Sequence, residues 1–306
     1  MIFLDKREKY YKYAWKRMCV NLNFEIRTDL ALESKILENE TPSGVQQTVE
    51  NIQNVKIIKT KISNEHGSKA LGRPVGEYVA LEHFQMLLPE NADVVRPILV
   101  KELEKMIANK KSVLVVGLGN KNISPDALGP MVADKIIATR HFKGSLAKSL
   151  GLSGLSAVSV IAPGVLGQTG VEVFEIIKAI SKEIKPDLIL TVDALAAGSV
   201  QRLGTTIQIT NTGISPGSGV QNKRAEISQK TLDIPVVAMG IPTVVDMETI
   251  IHEICENSAP APSSSMMVTP RDIDQIISRS SALMANAINQ ALFPSLSLEE
   301  IQALAE

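Results

Sequence analysis

Short β-branched runs, SVLVVG from Ser112, AVSVIA from Ala157, DLILTV from Asp187 and PVVAMG from Pro235, alternate with helix-patterned segments around MVADKIIATRHF, VEVFEIIKAISKEI and METIIHEIC. Near-continuous aliphatic strands of this kind are buried on both faces, which requires helices above and below a largely parallel sheet. The pattern predicts a three-layer α/β fold with a mostly parallel, doubly wound sheet. TTIQIT, from Thr205, adds a further strand. A single α/β domain accommodates all of these elements.

The preceding chain reads differently. From Glu25 to about Leu88 short strands such as VKIIKTKI are broken by glycines and polar residues in NEHGSKALGRPVGEY. This predicts a β-rich accessory region over about residues 50–90, with turns between its strands. Residues 1–24 are rich in Lys, Arg and Tyr and could form an amphipathic helix, but have no periodicity that ties them to a core, so they read as a removable or mobile arm. At the other end, Thr269-Pro270 with Asp272 reads as the start of a helix over RDIDQIISRSSALMANAINQALF, and Ser297 with Glu300 as the capping box of a last short helix. The Pro/Ser/Ala-rich segment 256–265 is a loop too short to divide domains.

Charge and cysteine usage exclude several function classes. With Lys+Arg 32 against Asp+Glu 33, the chain has no basic field that would neutralise nucleic-acid phosphates. Its 2 cysteines, Cys19 and Cys255, have no metal-ligand or C-x-x-C spacing, which fits a reducing cytoplasm. The N-terminus lacks the apolar region of a signal peptide, and no run is long and uncharged enough to cross a bilayer. A cytoplasmic protein that binds neither membrane nor nucleic acid is expected.

Two carboxylates stand at the ends of strand-like runs: Asp126 in VLVVGLGNKNISPDALGP and Asp193 in DLILTVDALAA. In an open parallel sheet the carboxyl ends of the strands line the crevice that holds the chemistry. Asp126 also has a structural explanation as the acidic first-turn residue of a helix capped by Ser124 and begun by Pro125. Gly129-Pro130 weighs against it, because such residues weaken a helix and signal a close approach by something else. Asp193 would otherwise cap a following helix, but the small residues Ala194, Ala196, Ala197 and Gly198 leave space beside it for a ligand. Paired in one crevice, two carboxyls divide acid and base roles or hold a divalent cation that acidifies a water.

Other motifs are less specific. GLGN resembles a dinucleotide fingerprint, yet the third glycine falls on Asn122, which leaves Gly117 and Gly119 as loop formers. The loops APGVLGQTGVE and TGISPGSGVQNKR follow strands and offer Gly164, Gly167, Gly217 and Gly219 as backbone contacts to a substrate chain or oxyanion. Lys223 and Arg224 end the second loop and either pair with an acidic substrate group or remain solvated. His66, His83, His141 and His252 form no nucleophilic triad spacing. The competing readings are therefore a two-aspartate hydrolase, a metal-dependent peptidase using the same aspartates, and a non-enzymatic nucleotide-binding module.

Taken together, EIRTDLALE, VVGLGN, SPDALGP, TRHF, PGVLGQTGVE, DALAA, ISPGSGVQNKR, IPVVAMGIPTVVD and MVTP resemble the germination protease family of spore-forming bacteria. The resemblance implies an endopeptidase of the spore core that degrades small acid-soluble spore proteins at germination. It further implies a homotetrameric zymogen that matures by self-cleavage. The cut within the RTDLA-like sequence falls between Asp29 and Leu30, making residues 1–29 the pro-segment. The resemblance also carries an aspartic catalytic role onto Asp126 and Asp193; no cofactor is expected, and a divalent metal held by the same pair stays open as an alternative. The core is similar to that of hydrogenase maturation peptidases, whose third nickel ligand, a histidine, has no counterpart between Asp193 and His252.

Overall fold

The computed structural model describes residues 28–33, 42–83, 85, 87–142, 155–217, 224–254 and 266–305. Residues 1–27 of the expected arm and the 256–265 loop lie outside them, as do Gly219, Lys223 and both cysteines. In chain order the elements begin with β1 (Val45–Ile52), β2 (Val55–Ile62), α1 (Glu65–Leu71), β3 (Gly76–Glu82) and α2 (Pro89–Ile107). The α/β unit then runs β4 (Ser112–Gly117), α3 (Leu128–Ala133), β5 (Ala157–Ile161), α4 (Leu166–Thr169), α5 (Val173–Ile184) and β6 (Leu188–Ala197). It continues with β7 (Thr206–Thr210), α6 (Gln229–Leu232), β8 (Val236–Asp246), α7 (Met247–Ile254), β9 (Met267–Val268), α8 (Ile273–Leu292) and α9 (Leu298–Ala305).

One sheet in the order β1-β2-β3-β7-β8-β6-β4-β5, with β9 paired to β8, passes through the whole fold. The expected parallel core is β5-β4-β6-β8, joined in parallel at every step. TTIQIT forms β7, antiparallel to both β3 and β8. Through it the accessory strands extend the same sheet edge to edge and do not form a separate layer, so the sheet as a whole is mixed. Helices cover both faces, which completes the α/β layering. The sequence between β2 and β3 is not only turns: α1 is capped by Asn64, whose side chain accepts from the Gly67 N–H, and is ended by left-handed Gly72. The β1-β2 hairpin closes on Gln53 and Asn54, both at positive φ, as a two-residue turn matched to strand twist requires.

The alternation of side chains along each strand builds two cores. Val113, Val115, Leu190, Val192, Met239 and Ile209 point to one face, where Leu99 and Leu103 of α2 and Met284 and Ile288 of α8 cover them. Leu114, Val116 and Ile189 point to the other and meet Ile177 of α5. The helix expected over MVADKIIATRHF is short and begins earlier, at Leu128. Its end is set by Asn289 of α8, which donates to the Lys135 carbonyl at 2.9 Å and accepts from the Ile137 N–H at 3.1 Å. These bonds replace the partners that a longer helix would supply. The C-terminal helix starts at Ile273, later than Pro270, because the Thr269 hydroxyl donates to the Thr243 carbonyl. Ser297 and Glu300 make the expected reciprocal capping bonds.

Candidate active site

The parallel unit contains a topological switch point. After β4 the chain moves outward to β5, and after β6 it moves the other way towards β8, so the loops leaving neighbouring strands β4 and β6 diverge. Sheets of this type place their ligand crevice between such loops. β6 also runs past its neighbour: Gly117 pairs with Val192 as the last β4 partner, and Asp193 is the first residue beyond. Asp193 therefore lies inside a strand that continues to Ala197 against β8, and not at a strand end. No helix follows for it to cap.

Asp126 ends a 3-10 turn, Ser124–Asp126, that leads into α3. The cap position falls on Ile123 and not on Ser124, so no side chain caps the turn; the Asp126 carboxylate turns back to accept from the Asn120 N–H at 2.7 Å. The turn is held from beneath by Thr243 of β8, whose hydroxyl donates to the Pro125 carbonyl at 2.7 Å. Thr243 was not legible as a site residue, because an isolated threonine in an aliphatic strand carries no pattern. Thr243→Val is expected to slow any Asp126-dependent cleavage by about 10-fold to 100-fold through misplacement of the turn. Thr243→Ser should retain the wild-type rate, and comparison of the two rates checks the bond.

Gly117 of GLGN and Gly129 serve one close contact. A Cβ on Gly117 would lie 2.1 Å from the Gly129 carbonyl oxygen, and a Cβ on Gly129 would lie 2.2 Å from the Leu118 oxygen and 2.5 Å from the Val192 oxygen. The close approach signalled by Gly129 is thus that of α3 onto the protein's own β4 and β6. Gly129 accordingly does not discriminate between a functional and a structural Asp126. Gly117 packs strand to helix, while Gly119, at φ +114°, passes beside the Asp126 backbone and carboxylate. At the position of a third fingerprint glycine, Asn122 donates its N–H to the Asn120 side chain.

Asp126 and Asp193 line one crevice of about 500 Å3 together with Asp29, Gly164, Gly167, Gly217 and Arg224. Asp193 is 7% exposed and accepts from the Ala194 N–H at 2.9 Å. Burial pushes its carboxyl well above the ordinary range, and the nearby charges of Asp126 and Asp29 push it further in the same direction. Asp126 is also raised by burial, against the opposing bond from Asn120. Arg224 reaches Glu172 at 3.3 Å on the rim, so its cation already has an acidic neighbour. Gly164 and Gly217 adopt left-handed φ, whereas Gly167 sits in α4 with open space where a Cβ would be.

The segment 28–33 occupies the same place. Asp29 pairs with β6, its N–H donating to the Ala196 carbonyl at 2.9 Å while its carboxylate accepts from the Ala196 N–H at 2.9 Å. Arg73 donates to the Thr28 carbonyl, and Glu33 accepts from the Gly198 N–H at 2.7 Å and from Arg202 at 3.0 Å. Leu30 and Ala31 are each only 1% exposed. Among the described residues no three His, Cys, Asp or Glu side chains are grouped so as to hold a metal ion. Likewise, no described helix is long and apolar enough to cross a membrane.

Known proteins resemble this chain over most of its length. The sequence model of the germination protease family matches residues 25–258. The chain is 40% identical to the germination protease of Caldanaerobacter subterraneus subsp. tengcongensis, over 91% of this chain and 98% of that one. It is 39% identical to that of Clostridium perfringens over the same shares, and 43% identical to that of Priestia megaterium over 75% of this chain and 66% of the relative. Among solved structures, a nickel-iron hydrogenase maturation protease from Thermococcus kodakarensis KOD1 aligns with 61% of this chain and 98% of its own, at 18% identity and TM-score 0.36.

Proposed function

The chain belongs to the germination protease family and is a peptidase; on that premise we propose that it is a zymogen which cuts itself between Asp29 and Leu30. Residues 1–29 are the pro-segment. Once they are removed, residues 30–306 form a spore-core endopeptidase, acting as a homotetramer on small acid-soluble spore proteins. The observation that carries this reading is the seating of Asp29 in the crevice lined by Asp126 and Asp193.

The two carboxyls divide the work by environment. Asp193, the more deeply buried and more strongly raised, carries the proton; Asp126, raised less and held by a backbone N–H, is the base. Asp126 takes a proton from water as its oxygen adds to the Asp29 carbonyl carbon. Asp193 gives its proton to the Leu30 nitrogen as the C–N bond breaks. Gly164, Gly167 and Gly217 supply backbone surface to the substrate chain, with Arg224 on the rim; Gly219 and Lys223 lie outside the described residues.

Mass spectrometry of the purified full-length chain before and after incubation tests the reading. Loss of residues 1–29, also in the presence of a strong chelator, is the expected result. Cleavage only at other bonds would refute the site, and cleavage abolished by chelation would assign the aspartates to a metal.

A further inference from the structure

The sheet places a third side chain at the bond that the proposed self-cleavage breaks. Gly240 of β8 pairs with Asp193 of β6 on one side and with Gln208 of β7 on the other. Paired residues in a sheet point to the same face, so Gln208 and Asp193 flank a position that has no side chain. With strands about 4.8 Å apart, their backbones stand roughly 10 Å from one another, the span of an extended peptide and its two partners. The glycine is obligatory there, since a Cβ would lie 2.3 Å from the Asp193 carbonyl oxygen and 2.8 Å from Leu195. The Leu195 side chain sits beside this glycine, and Asp29 lines one pocket with Leu195, Gln208 and Gly240.

Gln208 is 6% exposed, and both ends of its carboxamide are engaged on that segment. Nε2 donates to the Asp29 carbonyl oxygen at 2.9 Å, and Oε1 accepts from the Ala31 N–H at 2.7 Å. The amide therefore straddles the Asp29–Leu30 bond and grips the backbone alone, with no contact that depends on side-chain identity. The Asp29 carbonyl is the group whose oxygen becomes negative when water adds to its carbon.

Resting on the proposed cleavage at Asp29–Leu30, we propose that Gln208 is a catalytic residue of this site. Its Nε2–H polarises the scissile carbonyl and stabilises the developing oxyanion, while Oε1 sets the register of the chain beyond the bond. A buried, preoriented amide is suited to this, because it pays no reorganisation as charge develops. Any substrate replacing the segment would meet the same two backbone contacts.

The test follows self-cleavage of the full chain by intact mass in wild type, Gln208→Glu and Gln208→Met, with amide hydrogen exchange at Ala31 as the measure of seating. Gln208→Glu, followed at about pH 9 so that the buried carboxyl is ionised, keeps an acceptor for the Ala31 N–H but loses the donor. It should cut about 10²-fold to 10³-fold more slowly while Ala31 stays protected. Gln208→Met fills the same space without either polar atom and should be at least as slow, which covers the case in which a buried carboxylate does not fold. Wild-type rates in both variants would overturn the assignment, as would loss of Ala31 protection in parallel with rate in Gln208→Glu. A wild-type chain that never cuts at Asp29 would instead overturn the underlying reading.

Discussion

Asp193→Asn is expected to stop cleavage at Asp29 by more than about 10³-fold and, at neutral pH, to raise the melting temperature of the chain by several degrees. The first effect follows from loss of the proton donor. The second follows from burial: the carboxyl lies well above its ordinary value in the folded chain, so the folded state binds more protons than the unfolded one between the two values. Stability therefore falls as pH rises through that window, and above it the full cost of a buried charge is carried. Asparagine removes the charge and keeps the bond from the Ala194 N–H. The advantage should shrink as pH falls through about 4 and vanish below it, where the wild-type carboxyl becomes protonated in both states. Asp126→Asn is the proper comparison, because it too should remain uncut, and its stabilisation should be smaller, in keeping with its lesser burial. Continued cleavage by either purified mutant would sink the assignment.

That both aspartates were visible in the sequence has a physical basis. Aliphatic runs bounded by glycine or by small residues mark parallel strands, and chemistry collects where such strands meet their loops. The same reasoning misjudged extent. DALAA looks like a post-strand loop, yet β6 and β8 satisfy each other's backbone through it, with a register shift between Leu195 and Ala196. Strand neighbours were also beyond reach, because alternation specifies faces but not partners; hence β7 and the accessory strands join the sheet antiparallel. Gln208 in TIQIT reads as an ordinary polar residue of a strand. Only the pairing of β7 with β8, and the glycine between it and Asp193, gives that residue a place beside Asp29 and Ala31.

Gly129→Ala is expected to destabilise the chain by about 3 kcal/mol or more and to remove activity with it, although it adds only one methyl group. Three backbone atoms, the Leu118 nitrogen and oxygen and the Val192 oxygen, lie within 2.5 Å of the new carbon. None is the flexible end of a side chain, so relief requires α3 to lift from β4 and β6. The lift separates Leu128 and Val132, both fully buried, from the core beneath, and it carries along the turn that presents Asp126. Gly167→Ala is the control: that glycine lines the same crevice within a helical turn, nothing lies within 4 Å of the added carbon, and alanine favours helix. Chemical denaturation of both variants compares the two directly. A Gly129→Ala chain as stable as Gly167→Ala would mean that α3 does not rest on the strands this closely, and the position of Asp126 beside Asp193 would then lose its structural support.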